Sequence, residues 1–439
     1  MFLADMQCIR KMSKKNIIVL FGSTGDLAFR KLLPAICQLY EIKEIDKNTL
    51  VIAIGRRNFD REKYFQFLSV NNEEIDISIL KEILIYHKME ITVEKDYEGL
   101  KDLLKKNADE KTRIIHYLAI SPELVDNVTK LMGKTNLIHK GNKKHSILFE
   151  KPFGQNLETS KAMNKELLKI VNDAQIYRVD HYLTKKKIEQ IVKLKLEEDS
   201  LDEFLKLDNI QEIKISITEK RGILNRGAFY DKTGAIKDML QSHILQLLSI
   251  LLIDKSKSYK NVAEAKLEAL KKLEFVEKSL ILGQYRNYLK EKGVAENSNT
   301  ETLVFCSFNY TKNDGNKILA TILTAKNCYD DRAYFLIRLK GGEHYLRIYF
   351  NNYHGIVRRG KTLSRITINE GFNKSTLKDY AQLIKNAIKY NKTTFLTQKE
   401  IEQSWKICDL ILENKNENIL YNSAEDIDDI LNDGDFFSR

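Results

Sequence analysis

Between residues 16 and 150, four short β-branched runs (IIVLFG, TLVIAIG, TRIIHYLAI and HSILFE) alternate with polar-apolar stretches of helical period. Nothing else in the chain constrains it as strongly. Runs without a polar face belong to strands buried on both sides, and a helical stretch between each pair supplies the cover, so the alternation predicts βαβ units on a parallel sheet. The pattern changes near residue 178. IQEIKISITE (210–219) places Ile213, Ile215 and Ile217 on one face, the period of a strand with one packed side. TLVFCSFNY, ILATILTA, AYFLIRLK and HYLRIYF then follow at short intervals and predict a meander over residues 300–350. Helical stretches at 234–253 (GAIKDMLQSHILQLLSILLI), at TLKDYAQLIKNAIKYN and at KEIEQSWKICDLILEN interrupt or close this second region.

The first run leads directly into GSTGDLAFRKLLPA. Gly22, Ser23, Thr24, Gly25, Asp26 and Leu27 therefore form a strand-to-helix turn in the first βαβ unit, where free N–H groups and the helix dipole converge on a dinucleotide pyrophosphate. Gly22 permits the tight turn, Gly25 admits phosphate to the backbone, and Ser23 and Thr24 offer hydroxyl donors. The same glycines would serve a turn without a ligand. After the second run, Arg56 and Arg57 stand where an acidic partner for a ribose 2′-OH would be expected, which favours a 2′-phosphate and hence NADP. Two exposed loop arginines are the alternative. The expected fold class is α/β followed by α+β. A Rossmann-like NADP-binding domain is expected over residues 12–177, and a larger α+β domain with a mostly antiparallel sheet over 178–439.

Composition narrows the function classes. With 439 residues, 43% of them hydrophobic, the chain can bury two cores. Its N-terminus lacks the apolar stretch of a secretory signal and no run is long enough to span a bilayer, so we expect a cytoplasmic protein without a membrane partner, folded from near Lys15. Five scattered cysteines without CxxC pairs read as reduced, mostly buried residues and give no metal site. The net charge of +11 raises nucleic acid as a partner, but the densest basic run, HKGNKKH (139–145), has no interleaved aromatics and reads as a solvated loop, so no nucleic acid is expected. A diffuse positive field would equally draw in a phosphorylated small molecule.

Three further blocks complete a pattern: EKPFG (150–154), RVDHYLTK (178–185) and GAFYDKTGAIKDMLQSH (227–243). With GSTGDLAFRKLLPA, and with YLAISP (117–122), GQY (283–285), SNTET (298–302) and EQSWKICDLIL around Trp405, they resemble the glucose-6-phosphate dehydrogenase family over nearly the whole chain. The resemblance implies oxidation of glucose 6-phosphate at C1 to 6-phosphoglucono-δ-lactone with hydride transfer to NADP, the first step of the oxidative pentose phosphate pathway. It implies His243 as the base for the C1 hydroxyl, with Asp180 stabilising the imidazolium. His181, Tyr182 and Lys185 would hold the 6-phosphate, Glu219 and Asp238 would accept sugar hydroxyls, and Lys151 would stand between sugar and cofactor. Lys340 matches a substrate lysine more loosely, and Tyr117 joins the cofactor set. The family also implies a homodimer or homotetramer built through the 300–350 sheet, a cis Lys151–Pro152 bond, and a local kink at Pro34.

The residue types support these roles on their own terms. Alcohol oxidation by hydride loss needs a base of near-neutral pKa, and a carboxylate beside a histidine fixes its tautomer and favours its charged form. Taken alone, His243 shares an α-helical face with Ile236, Met239 and Leu240 and would also read as a core histidine. The chain departs from the family at Ser121, at KNCYDDRAYF, at IRLK and at Tyr349-Phe350. A non-catalytic relative that only binds nucleotide or sugar phosphate is the rival reading, and the intact Asp180, His181, Lys185 and His243 argue against it.

Overall fold

The computed structural model describes residues 15–422, apart from 181, 184–185, 197–200, 330, 351–353 and 368–376. Six strands open the chain: β1 (Asn16–Phe21), β2 (Thr49–Gly55), β3 (Leu84–Lys88), β4 (Arg113–Leu118), β5 (His145–Glu150) and β6 (Ile176–Val179). They pair in parallel in the order β6-β5-β4-β1-β2-β3. Every residue of β1, β2 and β4 is buried, as strands covered on both faces require. The order reverses between β1 and β4, and in such sheets ligands bind outside the carboxyl ends of the strands at that reversal.

A second sheet follows: β7 (Ile210–Thr218), β8 (Leu273–Tyr285), β9 (Leu303–Thr311), β10 (Lys317–Ala325), β11 (Arg332–Leu339), β12 (Tyr345–Tyr349), β13 (His354–Arg359) and β14 (Thr362–Thr367). The short strand β15 (Phe395–Leu396) returns to the first sheet, antiparallel to β6, and β16 (Ile419–Tyr421) joins the second beside β8. The second sheet runs β14-β13-β12-β11-β7-β10-β9-β8-β16 and is mostly antiparallel. The expected meander is therefore interrupted. β7 lies between β11 and β10 and pairs with β10 in parallel, a long-range insertion that local alternation cannot reveal.

The chain forms two compact units. One contains Met1–Phe153, Ala162–His181 and Thr376–Leu396, and the other Gly154–Lys161, Tyr182–Ser375 and Thr397–Arg439. This differs from a single division after residue 177, because the segment expected in the second domain as TLKDYAQLIKNAIKYN belongs to the first. Its helix Asp379–Ile388 buries Ala381, Leu383, Ile384 and Ala387 in the core that holds Ile18, Ile36 and Leu148. Arg113 donates from Nη2 to the Ala387 carbonyl at 2.9 Å, and Lys385 and Lys389 both reach Glu44. An amphipathic stretch shows that a helix will bury one face. It does not name the surface it covers.

Two helical segments depart from α-helical winding. The first helix opens with a π-helical stretch, Ala28–Leu32, and Pro34 stands in the first turn of the α-helix Leu33–Glu41 that continues it. Pro34 thus lies inside one unbroken helical run, directly after the change from π to α winding, where its ring leaves a carbonyl of the preceding turn without that N–H. The stretch expected as one helix over 234–253 divides into a π-helical segment, Ile236–Ile244, and the α-helix Leu245–Leu251.

Candidate active site

In the first unit the candidate residues stand at the carboxyl ends of parallel strands. Gly22 follows β1 with φ +79°, and a Cβ on it would lie 2.3 Å from the Ala119 carbonyl oxygen, just past β4. No other residue fits this turn at the reversal point. Ser23 donates its N–H to Ile54 O at 2.8 Å, tying the turn to the end of β2, and accepts Tyr64 Oη at its carbonyl at 3.2 Å. The buried Ser23 Oγ has no hydrogen-bond partner among the described residues. Asp26 is exposed and pairs with Arg30 at 2.7 Å, while Thr24 and Leu27 are half-buried. A cradle without a Cβ and an unpartnered buried hydroxyl, at the start of a helix whose dipole points its positive end there, together fit a dinucleotide phosphate.

Beyond β2, Arg56 is exposed and makes no ion pair or ring contact among the described residues. Arg57 lies over the ring of Phe67 at 4.8 Å and of Phe59 at 5.9 Å, and its carbonyl accepts Tyr86 Oη at 2.8 Å. Both arginines are exposed, and of the two only Arg57 lies against aromatic rings.

Tyr117, expected in the cofactor set, is 1% exposed within β4, and its hydroxyl donates to Glu150 Oε1 at 2.6 Å. Burial pushes the Glu150 carboxyl up to about 7; the Tyr117 hydrogen bond opposes this and the nearby Asp180 charge adds to it. Lys151 is half-buried and precedes a cis bond to Pro152. Asp180 directly follows β6 and is 2% exposed.

In the second unit, His243 is 1% exposed and stacks on Tyr182, with ring centroids 4.1 Å apart and planes inclined by 25°. Asp238 lies on the same π-helical segment, buried, with Arg226 Nη2 at 3.9 Å from its carboxylate. In an α-helix residues five apart diverge by about 140°. Hydrogen bonds that span five residues wind the segment more slowly and bring Asp238 and His243 nearer to one face. The expected shared face with Ile236, Met239 and Leu240 assumed α-helical winding throughout.

Glu219 follows β7 and receives Lys326 Nζ at 2.8 Å. Lys326 is itself buried, with its ammonium 5.4 Å from the Tyr230 ring centroid. Lys340 does not join this group. β11 runs antiparallel to β7 and pairs Arg332 with Thr218 but Leu339 with Ile210, so Lys340 stands beside Asn209 at the opposite end, about 26 Å along the strand. The lysine beside Glu219 is Lys326, whose β10 pairs in parallel with β7 and ends with it. A lysine closing the alternating run ILATILTA was the available signal, but the pairing that gives it meaning is non-local. His181 and Lys185 lie outside the described residues.

The chain matches known proteins along most of its length. The family model for the glucose-6-phosphate dehydrogenase NAD binding domain matches residues 19–190, and that for the C-terminal domain of the same family matches residues 192–428. The chain is 30% identical to glucose-6-phosphate 1-dehydrogenase from Helicobacter pylori over 416 residues, covering 90% of this chain and 92% of that one. It is 28% identical to the Streptococcus pneumoniae protein of the same name, over 91% and 90% of the two chains. Among solved structures, a glucose-6-phosphate dehydrogenase in complex with its substrate glucose-6-phosphate matches with a TM-score of 0.83 at 20% identity, covering 93% of this chain and 94% of that one. One from Mycobacterium avium matches with a TM-score of 0.80 at 22% identity, with the same coverage. At these identities the structural likeness bears on the fold.

Proposed function

The chain belongs to the glucose-6-phosphate dehydrogenase family, and from that premise we propose which of its residues carry the reaction. It is an oxidoreductase that oxidises glucose 6-phosphate with a nicotinamide dinucleotide. His243 takes the C1 hydroxyl proton as the C1–H bond breaks and the C1–O double bond of the lactone forms. The dinucleotide, when held at the Gly22 turn, would supply the acceptor for the C1 hydride. Asp180 stabilises the imidazolium, which then returns its proton to solvent. The observation that carries this reading is the buried His243 ring stacked on Tyr182 within a π-helical segment, a local winding that recurs at functional sites.

Glu219 and Asp238 accept sugar hydroxyls, and Lys326, in place of Lys340, holds the Glu219 carboxylate in position. His181, Tyr182 and Lys185 receive the 6-phosphate, and Lys151 serves both sugar and cofactor. The cofactor is NADP, because the side chain after β2 is the solvent-facing Arg56 and its planar guanidinium suits a 2′-phosphate. Two copies pair through the second sheet to give a cytoplasmic homodimer or homotetramer in the oxidative pentose phosphate pathway.

The test is reduction of cofactor at 340 nm with glucose 6-phosphate, NADP and NAD side by side. Reduction with NADP at a higher kcat/KM than with NAD is expected. Equal or better use of NAD removes the cofactor assignment, and no reduction with either removes the residue roles.

A further inference from the structure

The π-helical segment that carries Asp238 and His243 begins just after Gly234, and the groups that meet its entry N–H donors come from residue 301, in the SNTET stretch. Glu301 is 1% exposed. Its carbonyl accepts the Ala235 N–H at 3.0 Å and its Oε1 accepts the Ile236 N–H at 3.1 Å, so one residue engages two successive N–H groups at the segment's entry. Its other carboxylate oxygen pairs with Lys415, which is 35% exposed. Gly234 has φ +67°, and a Cβ there would lie 2.3 Å from Glu301 Oε1, so glycine is required partly because the carboxylate occupies that space.

The neighbouring residues of SNTET are tied to the same approach. Thr300 Oγ1 donates to the Asp231 carbonyl at 2.6 Å, and the Asp231 carboxylate takes Ser298 Oγ, Tyr288 Oη at 2.9 Å and the Ala295 N–H at 3.2 Å. Residues 231–236 are therefore held from one side by a dense set of hydrogen bonds. This six-residue stretch ends only two positions before Asp238.

We propose that Glu301 is a positioning residue for the catalytic segment: by accepting the Ile236 N–H it fixes where the π-helical winding begins, and thereby the orientation of Asp238 and His243. The proposal rests on the reading of His243 as the base. A carboxylate at a helix start satisfies an N–H that the helix cannot and complements the dipole. In a buried setting such a charge-assisted bond is stronger than a neutral one. What this residue supplies is the location of the acceptor atom, so side-chain reach matters more than charge.

That distinction sets the experiment. E301Q keeps the acceptor at the same reach and loses the charge; E301D keeps the charge and withdraws the acceptor by one methylene. If Glu301 acts through position, E301Q retains kcat within about threefold while E301D loses roughly ten- to a hundredfold, as small misplacements of reacting groups do. The acid limb of kcat/KM against pH, which reports the free enzyme's base, moves in E301D and stays in place in E301Q. A merely structural role lowers the melting temperature of both variants and leaves kcat per folded molecule and the pH limb at parental values; that result overturns the proposal, as does E301D equal to or better than E301Q. H243N measured alongside separates the two claims. Near-parental kcat in H243N removes the base assignment, whereas an inactive H243N with a parental E301D removes Glu301 alone.

Discussion

The turn after β1 and the entry to the segment Ile236–Ile244 have the same construction. Each places a glycine at positive φ, +79° at Gly22 and +67° at Gly234, a few residues before a π-helical stretch, and each glycine faces an oxygen 2.3 Å from where its Cβ would be. The oxygens differ. At Gly22 it is the backbone carbonyl of Ala119, fixed by the pairing of β1 with β4, whereas at Gly234 it is the tip of the Glu301 side chain. The first turn is imposed by sheet topology and the second by one carboxylate from a distant part of the sequence.

The largest effect we expect lies in the second of these regions. H243N should lose about 10²–10⁴-fold in kcat, the usual contribution of a general base, while calorimetric binding of glucose 6-phosphate persists. A variant within tenfold of the parent would leave the π-helical segment with no chemical role.

The two glycines should then separate in unfolding experiments. G22A forces a Cβ against an immovable carbonyl in a conformation that costs about 1–3 kcal/mol by itself, so a lowered melting temperature and loss of NADP affinity are expected together. G234A should also destabilise, but part of the loss should be recovered in G234A/E301A, where the opposing oxygen is gone. A double variant no more stable than G234A would erase the contrast between backbone and side-chain control.

A smaller change concerns the cofactor side alone. R56A should weaken NADP binding by roughly ten- to a hundredfold, in line with about 1.5–3 kcal/mol for a hydrogen bond to a charged group, and leave NAD nearly unchanged. Fluorescence titration with both cofactors measures it. If R57A, which removes a side chain packed on Phe67, reproduces the selectivity loss and R56A does not, the assignment moves to Arg57.

The smallest effect tests β4, whose end supplies Ala119. His116 on this strand is fully buried beside His145, Arg113 and the Phe21 ring, and burial holds its pKa well below the ordinary value, with His145 lowered to about 4 for the same reason. The unfolded chain takes up protons below about pH 6.5 that these folded histidines refuse, so stability present above that value is lost as the pH falls, by up to about 1.4 kcal/mol per pH unit for each group. Glu150, raised to about 7, works in the opposite sense between its ordinary value and neutrality. H116F should flatten the decline of melting temperature between pH 7 and 5. Parallel curves for parent and variant would place the acid sensitivity elsewhere.

The comparison also explains what the sequence could disclose. The Gly22 turn was legible because a buried β-branched run, two glycines and a helical stretch are contiguous, and the chemistry of that junction follows from local geometry. Asp238 and His243 were legible as residues, but their common face was not, since a helical wheel assumes α winding and the bond from Glu301 that starts the π-helical segment spans 65 residues. That Lys326 and not Lys340 stands beside Glu219 was not legible, because which end of β7 each approaches depends on the insertion of β7 between β11 and β10. Within EKPFG, Glu150 carries no signal of its own, because its partner Tyr117 reaches it across adjacent strands.

The return of residues 376–396 to the first unit has a consequence for biosynthesis. β6 ends at Val179 and is paired on its outer edge by β15, which ends at Leu396. A ribosome working at about 5–20 residues per second needs roughly ten to forty seconds to travel between them. During that interval the nascent first unit lacks the helix that covers part of its core and exposes a strand edge open to pairing with other chains. Folding from the N-terminus can begin early but cannot finish until about nine-tenths of the polypeptide has emerged, so premature termination anywhere before residue 376 yields a chain with neither unit complete.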